Sequence, residues 1–419
     1  MSKTDALRGF LKPLFFQDWC STVLFGDTMY MIFFGFFAAE GIIYPFWPTW
    51  LDTLGFSASQ IGLLIAAAYW PQIVTGVLIT YVADWRVDQI YLAALLSFSA
   101  AISTLLFYFL PPSLFTFIAL SISFGGLWMV VLPLSESYLL KRDKQSIQNY
   151  GWVRAVGSSA FILTSTLGGV FFTVYGLSWV PVIVAASMIF TALSCLWLRY
   201  RIPNLNFSGN TQIIKKPDWR RLFENKILLL AIASASIIQL SHTLYFATAS
   251  INWGIKGYSS TTIGLFWSVA VIAEITYFAF SNKVLKSFSP LSIVVLSSLC
   301  ASLRWAFFSN SDALSLIIIG QCMHALSFAA YHTAIMRFIR DHAPQDIQTL
   351  TQGFYYSFAV AIPMGVATPF SGYLYEIIPN GSFYVMAIIA LLGALLALIA
   401  HQKMRNSKHD DTHVYSGLF

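Results

Sequence analysis

Long apolar stretches separated by short polar breaks constrain this 419-residue chain more than any other feature. A helix needs about 20 apolar residues to cross ~30 Å of hydrocarbon. Only 10% of the residues are charged, against about 25% in an ordinary globular chain. The pattern predicts an all-α integral membrane protein and excludes a secreted domain, a cytosolic enzyme and a single-pass receptor. Twelve transmembrane helices are expected at 28–51, 60–82, 89–110, 113–140, 149–174, 178–199, 227–251, 260–281, 289–309, 313–338, 347–376 and 381–401.

The longest polar stretch, residues 200–226, separates six predicted spans from six. We interpret it as a cytoplasmic linker with a short surface helix around Trp219–Phe223. If both termini are in the cytoplasm, Lys256 is the only one of the 24 Lys and Arg residues in an extracytoplasmic segment. Arg154 and Arg304 lie within spans, and the others lie in cytoplasmic segments. Basic residues favour the cytoplasmic side. The predicted organisation is an N-terminal extension 1–27, six-helix bundles 28–199 and 227–401, the linker, and a cytoplasmic tail 402–419.

The two halves repeat each other in sequence. The segment Gly55–Leu63 opens the second span, and the similar segment Gly257–Leu265 opens the eighth at an offset of 202. The same offset carries Gly151, at the start of span five, onto Gly353 near the start of span eleven. Two parallel six-helix halves around a central binding site are typical of major-facilitator transporters.

Five ionisable side chains fall well inside predicted spans. An unpaired charge at mid-bilayer costs ~2.5–3.5 kcal/mol even on the lenient insertion scale, so these groups must pair, face water or, for carboxylates, bind a proton. We expect a Glu136–Arg154 pair between spans four and five and a Glu274–Arg304 pair between spans eight and nine. Either pair can serve binding and coupling, or be a fixed structural bridge. The five residues are Glu40, Glu136, Arg154, Glu274 and Arg304.

Histidines are of interest because imidazole titrates near neutral pH. His324 and His332 lie in span ten, and His242 lies in span seven, although a lone helical histidine is more often a packing residue. The offset of 202 carries Glu40 onto His242, which suggests that both line one cavity. Of the many aromatic residues, a few fall where they could face that cavity, with packing the default interpretation of each: Trp128, Trp152, Phe161, Tyr245, Trp267 and Trp305.

Metal, cofactor and nucleic-acid sites are not expected. The four cysteines lie far apart or in apolar runs, without a CxxC pair. The net charge of +6 follows from a basic inner surface and needs no nucleic acid. We expect the partners to be a small-molecule substrate, protons and the lipid bilayer, and the protein to be a monomer.

Several segments carry a family resemblance. Tyr44–Leu51, Pro133–Glu136 and Tyr150–Gly157 resemble the lactose permease branch of the major facilitators. Tyr258–Glu274 and Arg304-Trp305 resemble the bacterial phenylpropionate permeases more closely. The resemblance covers most of residues 28–400. It implies two pseudosymmetric six-helix bundles, location in a bacterial inner membrane, and proton-coupled symport.

The resemblance also implies roles for single residues. Glu136 and Arg154 match the substrate-binding pair of lactose permease, and Phe161 stands where its sugar-stacking tryptophan lies. Glu274, Arg304 and His324 match members of its proton-coupling network. Asp84 and Arg86 resemble a degraded form of the superfamily's cytoplasmic latch. Two positions depart from lactose permease: Ser327 stands where its proton-releasing carboxylate lies, and Gln321 stands where it has a lysine. The proton carrier is therefore open between Glu274, Glu136 and Glu40.

These observations predict a proton symporter that imports a small aromatic carboxylate such as 3-phenylpropionate. Arg154 would hold the carboxylate, with the ring near Phe161, and Glu40, His242 and Tyr245 are further candidates for substrate binding. A sugar or nucleoside symporter is the alternative. A polytopic membrane enzyme is a distant one, because the polar residues cluster at mid-depth and repeat across two halves rather than forming a surface site.

Overall fold

The computed structural model describes residues 28–82, 88–142, 144–201, 219–309, 313–379 and 381–416, and within these ranges it is built of helices. Short helices at Leu177–Trp179, Trp219–Glu224 and Gln345–Ile347 join the long ones. The long helices are α1 Met29–Thr53, α2 Ala58–Val82, α3 Gln89–Phe109, α4 Leu114–Leu139, α5 Lys144–Tyr175, α6 Val180–Arg201, α7 Lys226–Ile255, α8 Ser260–Ser287, α9 Pro290–Ser309, α10 Leu314–His342, α11 Leu350–Ile377 and α12 Ser382–Ser416.

Each predicted span overlaps one long helix. Eleven helices among the described residues are long and apolar enough to cross a membrane. The remaining predicted span, 60–82, coincides with α2, which has 25 residues. The surface helix expected around Trp219–Phe223 is present as Trp219–Glu224. The predicted start of the tail at residue 402 falls inside a helix, because α12 continues to Ser416.

Three helices depart from regular α geometry near mid-depth. The α4 span is made of two helices: the first is Leu114–Trp128, and the second begins at Val131. Pro133 explains this break, because it cannot donate the hydrogen bond that the Met129 carbonyl would accept in a regular helix. Helices α10 and α11 each contain a wide π turn, at Ala325–Ala330 and Tyr356–Ala361. Such turns change which face a helix presents beyond them and are frequent at functional sites.

The internal repeat is present in the backbone. Gly55 and Gly257, which are equivalent at the offset of 202, follow the ends of α1 and α7 with φ of 87° and 86°. This left-handed conformation ends helices and is accessible to glycine at little cost. Packing repeats as well: α1 packs on α5 and α6 as α7 packs on α11 and α12, and α3 packs on α6 as α9 packs on α12. The fold is therefore two pseudosymmetric six-helix bundles.

The two bundles meet mainly through two helix pairs, α2 with α11 and α5 with α8. We call the end of the molecule at which α6 ends and α7 begins the linker end, and the opposite end the far end. At the far end, four glycines let backbones touch directly. A Cβ at Gly62 or Gly372 would collide with the carbonyl of Thr368 or Ala58 between α2 and α11.

The second helix pair at the far end uses the same device. A Cβ at Gly169 or Gly264 would collide with the carbonyl of Ser260 or Ser165 between α5 and α8. Hydrogen bonds reinforce both contacts, and they include Ser165 Oγ to Ser268 Oγ at 2.8 Å and Ser59 N to Glu376 Oε1 at 2.7 Å. The two bundles are thus in direct contact at the far end.

Candidate functional site

An ion pair lies between α4 and α5 in the first bundle. Arg154 NH1 lies 3.0 Å from Glu136 Oε1, so the structure brings together the two residues that the sequence paired. The side chains are 42% and 27% exposed, respectively. The guanidinium also lies 5.2 Å from the ring centre of Phe37 on α1. Neither side chain of this pair is fully buried, so both remain accessible to a ligand.

The Arg154 guanidinium suits an anionic ligand. Arginine carries five N–H donors in a planar fork that matches a carboxylate. Among the described residues, its only hydrogen bond to a side chain uses NH1. A ligand carboxylate can therefore bind without displacing Glu136, or can exchange with it.

An aromatic cluster of Tyr44, Phe161, Phe246 and Trp267 lies between the bundles, toward the far end from Arg154. Tyr44 lies at its centre: its ring centroid is 6.3 Å from that of Phe161, 5.5 Å from Phe246 and 6.0 Å from Trp267. Phe161 follows Arg154 by two helical turns on α5, about 10 Å at 1.5 Å per residue. The cluster thus brings together aromatic rings from both bundles beyond Arg154.

Sequence reasoning missed Tyr44 and Phe246 as site residues. The signal was available, because the offset of 202 carries position 44 onto position 246. Two aromatic side chains at equivalent positions of α1 and α7 meet near the pseudosymmetry axis, where repeat-related helices approach each other.

A second polar cluster lies in the second bundle, and it corrects the expected direct pair of Glu274 and Arg304. His324 lies between them. Its Nδ1 is 2.8 Å from Arg304 NH1, and its Nε2 is 3.1 Å from Glu274 Oε1. The expected Glu274–Arg304 pairing was wrong because it did not take α10 into account. This helix places the His324 imidazole between the two side chains.

The hydrogen-bond network assigns the tautomer of His324. A guanidinium can only donate, so Nδ1 must accept from Arg304 and the ring hydrogen lies on Nε2, facing Glu274. Nε2 lies close to Glu274 Oε1, but the two atoms are too poorly aligned to form a hydrogen bond. Glu274 Oε1 therefore has no hydrogen-bond partner among the described residues. While Arg304 holds Nδ1, His324 cannot bind a second proton there. Of the three side chains, Glu274 is the one that keeps an acceptor available for a proton.

The two residues that depart from lactose permease belong to this cluster. Gln321 Oε1 accepts hydrogen bonds from Arg304 NH2 and from the Tyr245 hydroxyl, both at 3.1 Å. Ser327 Oγ lies 3.3 Å from Arg304 NH1. The guanidinium also stacks at 4.4 Å on Tyr245. Arg304 is thus buried with neutral partners, and its contact with Glu274 runs through His324.

The two polar clusters are close enough to interact electrostatically. Arg154 acts electrostatically on Glu274 and on His332. His332 is held by Tyr355 of α11, with 2.8 Å from Nδ1 to the hydroxyl. A negatively charged ligand at Arg154 therefore changes the electrostatic potential at Glu274.

The structure separates Glu40 from His242. Glu40 lines a narrow cleft of about 50 Å³ and accepts a hydrogen bond of 2.9 Å from Trp128 Nε1. His242 is fully buried in the second bundle, with Nδ1 2.8 Å from the Ile238 carbonyl of its own helix and its ring 4.8 Å from that of Trp305. The carbonyl contact is the usual packing role of a helical histidine. Only Glu40 of this pair lines the cleft.

The predicted latch residues Asp84 and Arg86 lie outside the described residues. Next to them, Asp88 caps α3 by accepting from the backbone N–H of Ile90 and Tyr91. It also pairs with Arg199 near the end of α6. The first bundle is thus tied together at the linker end, close to where the latch was expected.

Known proteins resemble this chain in sequence and fold. Residues 28–386 match the family described as "MFS_1 like family". The chain belongs to this family of the major facilitator superfamily. This major facilitator is 28% identical over 362 residues to the "Probable 3-phenylpropionic acid transporter" of Escherichia coli (strain K12), covering 86% of this chain and 93% of that protein. It is thus a multi-pass membrane protein and a secondary transporter.

Solved structures support the same fold. The nucleoside transporter NupG superposes with a TM-score of 0.75 at 16% identity, over 90% of this chain and 98% of that one. The D-xylose-proton symporter superposes with a TM-score of 0.68 at 15% identity, over 88% and 95%. At these identities the likeness establishes the fold alone.

Proposed function

We propose that this major facilitator is a proton symporter that imports a small aromatic carboxylate such as 3-phenylpropionate. The observation that carries the proposal is the half-exposed Arg154 with an aromatic cluster about two helical turns beyond it. An arginine fork binds a carboxylate, and aromatic rings bind a phenyl ring by offset or edge contacts. The named function of the Escherichia coli relative agrees with this chemistry.

The geometry separates the two ends of such a ligand. The Arg154 side chain and a three-carbon acid together bridge the ~10 Å between Arg154 and the level of Phe161 on α5. The ligand carboxylate would replace the contact with Glu136, while its ring would lie against Tyr44 and Phe161. Phe37, already under the guanidinium, would shield the pair from water.

Proton coupling is assigned to Glu274, with His324 and Arg304 as positioning residues. His324 presents its Nε2 hydrogen to the Glu274 carboxylate and cannot accept a proton on Nδ1. Arg154 of the other bundle stabilises the Glu274 charge. When a substrate carboxylate neutralises Arg154, this support weakens and proton binding at Glu274 becomes more favourable. Substrate and proton would then bind together, which is the requirement for symport.

The orientation follows from the charges. The linker end carries most of the basic residues, so it would face the cytoplasm, with both termini inside and the protein in a bacterial inner membrane. The described conformation, closed at the far end, would then be the inward-facing state of alternating access. The bundles would rock about the central aromatic cluster.

A sugar or nucleoside is the second candidate substrate. The observation in its favour is the Glu136–Arg154 pair itself, which offers both acceptors and donors to hydroxyl groups. The aromatic cluster could stack on a sugar face or a base. Unlike a carboxylate, a neutral substrate would bring no negative charge to Arg154.

Uptake into energised membrane vesicles tests the proposal. Labelled 3-phenylpropionate, lactose and uridine are compared with and without a protonophore, and the expected result is protonophore-sensitive accumulation of 3-phenylpropionate alone. Vesicles without the protein give the background, because the protonated acid crosses lipid unaided. Accumulation that survives collapse of the proton gradient would refute symport, and selective uptake of lactose or uridine would favour the second candidate.

Glu274→Gln should uncouple transport from the proton gradient. Glutamine keeps an acceptor for His324 Nε2 but cannot bind and release the proton. One proton per monocarboxylate allows at most about tenfold accumulation per unit of pH gradient, since each unit corresponds to ~1.4 kcal/mol. We expect the variant to accumulate no substrate above background, yet to exchange labelled for unlabelled substrate. Wild-type accumulation in the variant would assign the proton to another group.

A further inference from the structure

Glu40 is a buried carboxylate that the proposed mechanism does not use. It lies on α1, is 5% exposed, and lines the narrow cleft between the bundles. One hydrogen bond comes from Trp128 Nε1 of α4 at 2.9 Å. The hydroxyl of Tyr44 lies within hydrogen-bonding reach and in turn contacts Tyr69 of α2. The carboxylate is therefore held in place by neutral donors.

No cation compensates this carboxylate within the described part of the chain. The titratable groups that face it are Tyr44 of its own helix and Tyr69 of α2, and Trp128 of α4 adds a neutral donor. Helices α7 and α11 of the second bundle contribute the apolar side chains of Phe246 and Met364. An ionised carboxylate in such surroundings is unstable without a paired charge, so it binds a proton instead.

The position of the cleft links this proton to the closed far end. Met364 lies one turn before Thr368, whose carbonyl touches Gly62 in the α2–α11 contact. Trp70 of α2 donates to the Gly365 carbonyl of α11 at 2.8 Å, beside the same cleft. When α2 and α11 separate at the far end, Met364 and Phe246 move away with the second bundle. Water then reaches Glu40 from the far side.

We propose that Glu40 is a proton-binding site that must be occupied for the far end to close. With the far end open, the carboxylate is hydrated and exchanges protons with that side. Closing the far end covers it with Phe246 and Met364, which only the protonated form tolerates. Proton binding and closure are thereby linked, and neither depends on which substrate is transported.

Distance measurements by electron spin resonance test this link. Spin labels are placed at Leu54→Cys and Ile378→Cys, on either side of the α2–α11 contact, in a variant whose four native cysteines are replaced. Lowering the pH should shift the labels from a long-distance population to a short-distance one. For a single proton, the ratio of the two populations changes by at most tenfold per pH unit. In Glu40→Gln, which keeps an acceptor for Trp128, the short distance should persist at every pH.

Matched variants separate this site from others. The surface variant Glu224→Gln should keep the wild-type pH response. Trp128→Phe removes a donor to the charged form, so its response should move to higher pH. A distance distribution that ignores pH in the wild type, or that still responds in Glu40→Gln, would overturn the proposal.

Infrared difference spectroscopy gives an independent reading on purified protein without substrate. On acidification, the carbonyl stretch of a protonated carboxylic acid should appear in the wild type and lose one component in Glu40→Gln. The same component should remain in Glu274→Gln. An unchanged band in Glu40→Gln would show that Glu40 binds no proton and would refute the proposal, whatever the outcome of the uptake experiment.

Discussion

Gly264→Val should slow transport strongly by hindering closure of the far end. A Cβ at Gly264 would collide with the Ser165 carbonyl, which is backbone and cannot move aside as a flexible side chain can. Overpacking of this kind costs ~1–3 kcal/mol, which biases a conformational equilibrium by about 5- to 150-fold. Combining it with Gly372→Val, in the α2–α11 contact, should multiply the two effects because the sites lie in separate contacts.

The measurement pairs uptake with the distance between labels at Leu54 and Ile378. We expect initial uptake rates to fall by roughly the factors above, while the long far-end distance predominates. Gly254→Val is the matched control, because a Cβ at Gly254 has no heavy atom of another part of the protein within 4 Å. If Gly264→Val transports like Gly254→Val, direct backbone contact at the far end is not required for the transport cycle.

Arg154→Lys should weaken binding of the aromatic carboxylate sharply. Lysine keeps the charge but loses the planar fork that binds both carboxylate oxygens. A hydrogen bond to a charged group is worth ~1.5–3 kcal/mol, so losing one predicts a dissociation constant about 10- to 150-fold higher. Arg154→Gln, which also loses the charge, should be weaker still. Calorimetric binding of 3-phenylpropionate to purified protein measures both.

Two comparisons make the experiment specific. A neutral analogue, 3-phenylpropanol, should bind wild type and Arg154→Lys with similar affinity, because it does not need the fork. Arg220→Lys, in an exposed pair with Glu224 on the short linker helix, should behave as wild type toward both ligands. Wild-type affinity of Arg154→Lys for the carboxylate would remove Arg154 from the binding site.

The elements that sequence reasoning predicted well are those with a local physical cause. Glu136 and Arg154 were paired from two antiparallel helices joined by a short loop, and they lie 3.0 Å apart. The repeated turns at Gly55 and Gly257 were visible as similar segments and have nearly the same φ. Short connections and turn glycines restrict the chain locally, so little else is needed to place them.

The predictions that failed or were missed depend on how helices rotate and pack. Glu274 and Arg304 were paired because their helices are adjacent, but His324 of α10 lies between them. Trp128 is buried, as the packing interpretation expected, but its hydrogen bond to Glu40 from the last residue before the break in α4 was not foreseen. Hydropathy carries little information about which face of an almost wholly apolar helix points inward.

By itself, the sequence determined a membrane-spanning, twice-repeated helical protein, because the ~30 Å hydrocarbon layer dictates the length and apolarity of every spanning helix. Basic residues further indicated its orientation. Only the tertiary structure decided which side chains surround the polar groups: Phe37 contacts Arg154, His324 lies between Arg304 and Glu274, and the opposite bundle covers Glu40. These contacts join helices far apart in the chain, and their geometry follows from close packing at mid-depth and at the far-end glycines, which no local pattern encodes.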